Sequence, residues 1–200
     1  MDRDNLKELY FIAHISNVVS IMRYGILCHR KAQRIKHTSV AMQEIQDIRA
    51  KKSVPGGRPL HDYVNLYIDA RNPMMYKIVC ETSSSHTNLC VLIISTDVLD
   101  LTNVIITDGN AASDYTLFMP SPKGLKYVKE DFVFAESWTD ADVIMYWEKK
   151  RIKCAEVLVP DRVPTEFING AYVSCHEAKQ KLLETGFDLP IYINSHLFFK

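Results

Sequence analysis

The sequence predicts an α+β fold built around a largely antiparallel sheet, and three observations carry that reading. Strand-like and helix-like runs follow one another without the regular βαβ alternation of a doubly wound fold. The cleanest apolar run, "LCVLIIST", has the length of a strand rather than of a buried helix. Glycine and proline punctuate the gaps between runs, most strongly in "VPGGRPL".

The elements justify this in order. "LYFIAHISN" begins as a short strand, and "SNVVSIMRYGI" then reads as a helix. Ser16 or Asn17 is its N-cap, Val18, Val19, Ile21 and Met22 are its apolar positions, and Gly25 stops it. "HRKAQRIKHTSV" is polar, basic and without a period. It runs into a helix expected from about Ser39 to Lys52, where Ala41, Ile45 and Ile48 stand at i, i+4 and i+7. After the turn at "VPGGRPL", "HDYVNLYIDA" has a strand's composition. "NPMMYKIVCET" restarts as a helix with Asn72 as cap and Pro73 in the first position. The buried strand "LCVLIIST" follows, and then a long segment opening on the strand-like "VIIT". Gly109, Pro120, Pro122 and Gly124 interrupt it, so much of it is expected to be loop, and a connection of this length suits a lid or a binding loop. A helix at 139–151, the run "KCAEVLV", "EFINGAYVS", a helix near 175–185 ending at Gly186 and a last strand "PIYINS" complete the chain.

The 24 basic and 24 acidic residues cancel, which argues against a wholly basic nucleic-acid binder but leaves room for a local basic surface. Such groups occur at Arg30–His37, at Arg49–Arg58 and at Lys149–Lys153. No run of about 18 apolar residues is present, and the charged start "MDRDNLKELY" is unlike a signal peptide, so a cytoplasmic location and no membrane span are expected. The five cysteines have no metal-binding spacing and read as free thiols in a reducing compartment. Cys175 next to His176 is not a catalytic pair by spacing, because sequence neighbours do not face each other on a helix or strand.

No GxGxxG after a strand, no GxxxxGK[ST] and no HExxH occurs. The acids Asp97, Asp100, Asp108, Glu136, Asp140 and Asp142 leave a two-metal nuclease as an alternative, though acids at strand ends and in loops are commonly just solvated. Glu156 is the more pointed feature. In "KCAEVLVPDRV", Ala155, Val157 and Val159 fall on one strand face and Cys154, Glu156 and Leu158 on the other, so neither face is plainly wet. An ionised carboxylate there costs several kcal/mol unless paired, roughly the penalty of any buried charge. Two readings stay open: an edge strand with Glu156 turned to solvent or to Arg162, or a buried acid kept for chemistry.

Four segments taken together carry a resemblance. "LYFIAHISNVVSIMRYGIL", "MQEIQDIRAKKSVPGGRPLHDYVNLYIDARNPMMY", "ITDGNAAS" and "KCAEVLVPDRVP", in this order, resemble the DarT family of toxins. These are ADP-ribosyltransferases that move ADP-ribose from NAD to a base in single-stranded DNA, and a macrodomain antitoxin, DarG, reverses the modification. The resemblance implies an ADP-ribosyltransferase fold, residues 1–200 forming one domain, with two small sheets around an NAD cleft and no metal. It implies that Glu156 is the catalytic glutamate and Arg49 the essential arginine, that about 31–51 is the NAD-binding loop and helix, and that about 110–156 reads the substrate. Phe11, Ile12, Ala13, His14, Ser20 and Leu27 fall on or beside positions that hold NAD in the family. Phe11 departs from the pattern, since close relatives carry His there, and a side-chain hydrogen bond is lost at that position. Arg71 is expected to brace the fold or the cleft. Tyr115, Phe118, Tyr127 and Trp138 are candidates for stacking on bases. Thymine is the expected acceptor, with guanine also used within the family; transfer to RNA or protein is the closer alternative.

Overall fold

The computed structural model describes residues 1–81 and 85–200. Its strands are β1 (Leu9–His14), β2 (Ile26–Leu27), β3 (Tyr63–Tyr67), β4 (Leu89–Ile94), β5 (Ile105–Thr107), β6 (Phe118–Pro120), β7 (Glu156–Pro160), β8 (Arg162–Val163), β9 (Ile168–Val173) and β10 (Ile191–Ile193). Eight of them form one sheet in the order β10-β9-β4-β1-β3-β7-β5-β6, while β2 and β8 pair separately. Among the described residues every strand pairing is antiparallel except β10 with β9.

The large sheet is nearly two sheets. β1 meets β3 at the single pair Tyr10↔Tyr67, whereas β1 follows β4 from Leu9↔Ile94 to His14↔Leu89 and β3 follows β7 from Tyr63↔Pro160 to Tyr67↔Glu156. The halves β10-β9-β4-β1 and β3-β7-β5-β6 therefore part beyond that pair. Where the sequence reading expected two small sheets around a cleft, the fold has the two halves of one large sheet.

The helices are α1 (Val18–Tyr24), α2 (His29–Ala32), α3 (Gln43–Ala50), α4 (Pro73–Tyr76), α5 (Glu130–Val133), α6 (Val143–Ile152) and α7 (His176–Glu184). α1 stops at Gly25, whose φ of +80° suits glycine and where a Cβ would stand 2.4 Å from the Val163 carbonyl oxygen. α4 begins as its sequence predicts, with Asn72 accepting from the Met74 and Met75 N–H groups and Pro73 in the first turn. It widens into a π turn over Lys77–Glu81, and Thr82, the last residue of the expected helix, lies outside the described residues. α3 starts later than the expected Ser39, because the Ser39 hydroxyl takes the Ala41 N–H in a local turn that competes with helix. The long connection holds more regular structure than expected, with β6, α5 and a 3₁₀ segment at Lys123–Tyr127.

The alternation along β7 is as its sequence predicts. Ala155, Val157 and Val159 enter the main core, and Leu158 joins Val54, Leu60, Tyr63 and Ala111 on the other face. β7 is not an edge strand: β3 and β5 cover its two sides, so the reading that turned Glu156 to solvent or Arg162 fails, and Glu156 is 1% exposed. Lys153, read with the basic group before β7, is also buried; its Nζ donates to the Asp69 carboxylate and to the Val133 carbonyl at 2.8 Å. No helix among the described residues is long and apolar enough to cross a membrane.

Candidate active site

Glu156 is placed by its backbone before its side chain makes any contact. Its N–H donates to Thr107 Oγ1 at 3.0 Å, and that hydroxyl donates onward to the Gly109 carbonyl at 2.7 Å. The chain then turns so that the Ala111 N–H donates to Glu156 Oε1 at 3.0 Å. Gly109 permits the turn, since a Cβ there would meet Arg151 Nη1 at 2.5 Å. Arg151 holds the same turn from outside, accepting the Asn110 N–H at its carbonyl and pairing with Asp108 at 3.0 Å. The motif "ITDGNAAS" is thus the cradle of the Glu156 carboxylate.

Arg49 approaches from α3. Its Nη1 donates to Glu156 Oε1 at 3.2 Å and Oε2 at 3.0 Å, and the residue is 5% exposed. This is a buried ion pair, in which desolvation opposes the Coulomb attraction and removal of one partner strands the other charge. Just after α3, Lys52 Nζ donates to the Ala112 carbonyl and to Asp114, both at 2.6 Å, and ties the helix to the cradle. Burial, then the Glu156 charge, pushes the Cys154 thiol up to about 12 and the Tyr67 phenol well above its usual range. Neither is an anion at neutral pH, so Cys154 is not a nucleophile.

The pair faces a cavity of about 1050 Å³ that runs between the parted halves of the sheet. β1 and β3 form its floor, the 37–42 segment and α3 one wall, and the Glu156 cradle with the start of α6 the other. Both segments singled out in the sequence, 31–51 and 110–156, therefore meet across one space. Phe11, Ile12, Ala13, Leu27, Arg49 and Glu156 line it. His14 and Ser20 are not brought to the lining: His14 Nδ1 engages the Ser16 hydroxyl at 2.7 Å, and the Ser20 hydroxyl donates to the Asn17 carbonyl at 2.9 Å.

Of the four aromatics considered for stacking, Tyr115 lines the cavity and is 85% exposed. Phe118 packs beside Leu158, Tyr127 lies under Lys126, and Trp138 is edge-on to Tyr76 and Phe199. Trp147, passed over in the sequence, stands exposed on α6 at the cavity wall with Lys150 over its ring. Arg71 lies 4.0 Å from the centre of the Phe199 ring, away from the lining. The basic groups are largely spent in ion pairs, Arg30 with Asp62, Lys31 and Arg58 with Asp161, and Lys149 with Asp140.

The acids considered for a two-metal site point elsewhere: Asp100 pairs with Arg3, Asp108 with Arg151, and Asp142 caps α6. No group of three or more His, Cys, Asp or Glu among the described residues is arranged to hold a metal ion. Thr107 and Ala111, which side-chain reasoning passed over, complete the hydrogen bonding around Glu156; the one signal for them was the motif containing both.

Comparison with known proteins follows the same lines. The family model described as "DarT: ssDNA thymidine ADP-ribosyltransferase" matches residues 10–199. A DNA ADP-ribosyl transferase–DNA ADP-ribosyl glycohydrolase fusion protein of Thermosipho africanus is 32% identical over 182 residues, covering 88% of this chain and 45% of that protein. This chain thus spans about half the length of that relative. A DNA ADP-ribosyl transferase of Thermus sp. is 28% identical over 183 residues, covering 88% and 85%. Among solved structures, Thermosipho africanus DarTG in complex with ADP-ribose is similar with a TM-score of 0.84 at 30% identity, over 96% of this chain and 51% of that one. Thermus sp. 2.9 DarT in complex with ADP-ribosylated single-stranded DNA gives 0.86 at 24% identity, over 97% of each chain.

Proposed function

The chain belongs to the DarT family, and from that premise we propose that it transfers ADP-ribose from NAD to thymine in single-stranded DNA. The observation that carries the reading is the buried carboxylate of Glu156, fixed by Arg49 and the Ala111 N–H on the wall of a cavity large enough for a dinucleotide.

Breaking the bond between nicotinamide and ribose leaves the bonding electrons on nicotinamide and positive charge on the sugar. A fixed anion beside that sugar stabilises the charge as it develops, and a dry surround strengthens the effect. Oε1 of Glu156 is taken by Ala111 and Arg49 together, whereas among the described residues Oε2 accepts from Arg49 alone. Oε2 is therefore the atom free to accept a hydrogen bond from a ribose hydroxyl and orient the ring. A thymine ring nitrogen forms the new bond to the anomeric carbon as nicotinamide leaves, and its proton passes to water. Arg49 orients Glu156 and the dinucleotide; a guanidinium is a poor proton acceptor, so it is not the base in this scheme.

The acceptor is single-stranded because the reacting edge of thymine is hidden in a duplex. Tyr115 and Trp147, exposed at the cavity wall, supply faces on which bases stack, and Lys150 adds charge beside them. Ile12, Ala13 and Leu27 form the apolar floor against which NAD lies; Phe11 contributes there by packing. The 200 residues act as one transferase unit in the cytoplasm, as a toxin that blocks replication and is reversed by a macrodomain antitoxin of the DarG type. The glycohydrolase half of the Thermosipho fusion protein supports that pairing. Labelled NAD incubated with the protein and a thymine-containing oligonucleotide, its duplex, RNA or protein extract tests this. Label on the single strand is expected; label on RNA or protein alone would overturn the DNA assignment.

A further inference from the structure

The cavity wall that precedes α3 is held to the rest of the protein at one residue. Among the described residues, the hydrogen bonds that join residues 36–41 to another element all end at Thr38. Asn17 Nδ2 donates to the Thr38 carbonyl and Asn17 Oδ1 accepts the Thr38 N–H, both at 2.8 Å. The side-chain amide thus pairs with the Thr38 backbone much as a neighbouring strand would. The other polar bonds of the segment are local, His37 to Ile35 and Ala41 to Ser39. Val40 adds apolar packing against the cluster that contains Ile12 and Met75.

Asn17 has given up a more usual task to do this. It immediately precedes α1, where an asparagine side chain ordinarily accepts from the first N–H groups of the helix, and here it makes no such bond. Its amide reaches instead to a residue 21 positions further along the chain. Ser16, on the same 3₁₀ turn Ile15–Asn17 that follows β1, adds a longer bond: its hydroxyl donates to Thr38 Oγ1 at 3.2 Å, while His14 Nδ1 engages that hydroxyl at 2.7 Å. The junction between β1 and α1 therefore ties the floor of the cavity to its wall. His14, which stands off the lining, contributes here through Ser16.

We infer that Asn17 is a positioning residue for the transfer reaction, latching residues 36–41 where they wall the cavity; the inference rests on the NAD-dependent reaction proposed above. Asn17 acts through Thr38 and not on the dinucleotide, because both ends of its amide are already engaged. Few ties oppose the conformational entropy of this segment, so loss of the latch raises the share of molecules in which the wall is open. Apparent affinity falls with the closed share. Once NAD is seated the ligand itself holds the wall, and the saturated enzyme transfers at the parent rate.

The test compares Asn17→Ala with the parent protein by hydrogen–deuterium exchange without ligand and by nicotinamide release at varied NAD and saturating thymine-containing oligonucleotide. Amides of residues 36–42 are expected to exchange about tenfold faster in the variant, the ordinary net value of two part-exposed hydrogen bonds, while those of β1 and α1 keep the parent rate. KM for NAD should rise about tenfold with kcat within about twofold of the parent value. Ser16→Ala should move both readouts in the same direction by less. A parent-like KM in Asn17→Ala, or faster exchange spread through α1, would overturn the inference. A parent protein that releases no nicotinamide would instead overturn the proposed function, and the exchange measurement, which needs no NAD, still reads the latch.

Discussion

Lys153 with Asp69 and Arg49 with Glu156 are two buried ion pairs at the start of β7, and they are completed differently. Lys153 Nζ reaches the Asp69 carboxylate and the Val133 carbonyl, and the other Asp69 oxygen takes the Arg71 N–H at 2.9 Å. None of these residues lines the cavity. In the second pair both residues line it, and among the described residues Arg49 Nη2 has no partner and Glu156 Oε2 has Arg49 alone. Both burials carry the same kind of desolvation cost. The first closes its hydrogen bonds and braces the end of β3 against β7, while the second stands at the cavity wall.

The comparison breaks most directly at Lys153. Lys153→Ala strands the Asp69 carboxylate and the Val133 carbonyl, and a broken buried pair costs about 3–5 kcal/mol. Urea unfolding should register that loss, while the molecules still folded keep their transfer rate. A variant as stable as the parent would mean that Asp69 finds solvent easily and that the pair braces nothing.

Glu156→Gln should add a loss of chemistry to the loss of stability. The amide keeps the shape and an acceptor for the Ala111 N–H but leaves buried Arg49 without its counter-charge, so urea unfolding shifts too, while transfer per folded molecule falls by about 10²- to 10³-fold or more. Single-turnover release of nicotinamide, read beside the urea midpoint, separates the two effects. A variant that keeps most of its transfer rate would remove the carboxylate from the chemistry.

The two pairs were not equally legible. Glu156 stood out because a carboxylate inside an apolar run is a physical anomaly, and the alternation of β7 placed it correctly between its neighbours. Lys153 had no such mark: it follows Lys149, Lys150 and Arg151, and a run of cations does not say which one turns inward. Arg49 came only from the resemblance, since on α3 alone it is a cation in the last turn of a helix. Ala111 acts through its backbone N–H, a donor that nearly every residue type shares. β2 and β8 have two residues each, too short for any period to show. The split of the sheet at Tyr10↔Tyr67 depends on strand order, which no single run of sequence contains.

Acid should sharpen the contrast with the smallest effect of the three. Burial lowers the pKa of His29 and His61 on the cavity wall, and of His14. The folded protein then binds these protons less readily than the unfolded chain, so the contribution is fully present above the ordinary histidine value of 6.5 and is lost as pH falls below it. Carboxylates held low by cations, Asp161 by Lys31 and Arg58 and Glu148 by Arg151, lose theirs only nearer their ordinary values of 3.8 and 4.5. Melting temperatures taken from about pH 7.5 to about pH 5 should therefore fall before the carboxylates titrate. His61→Phe keeps a ring against His29 but removes one titrating group, so its melting temperature should depend less on pH over this range. An equal slope in that variant would move the acid sensitivity away from His61.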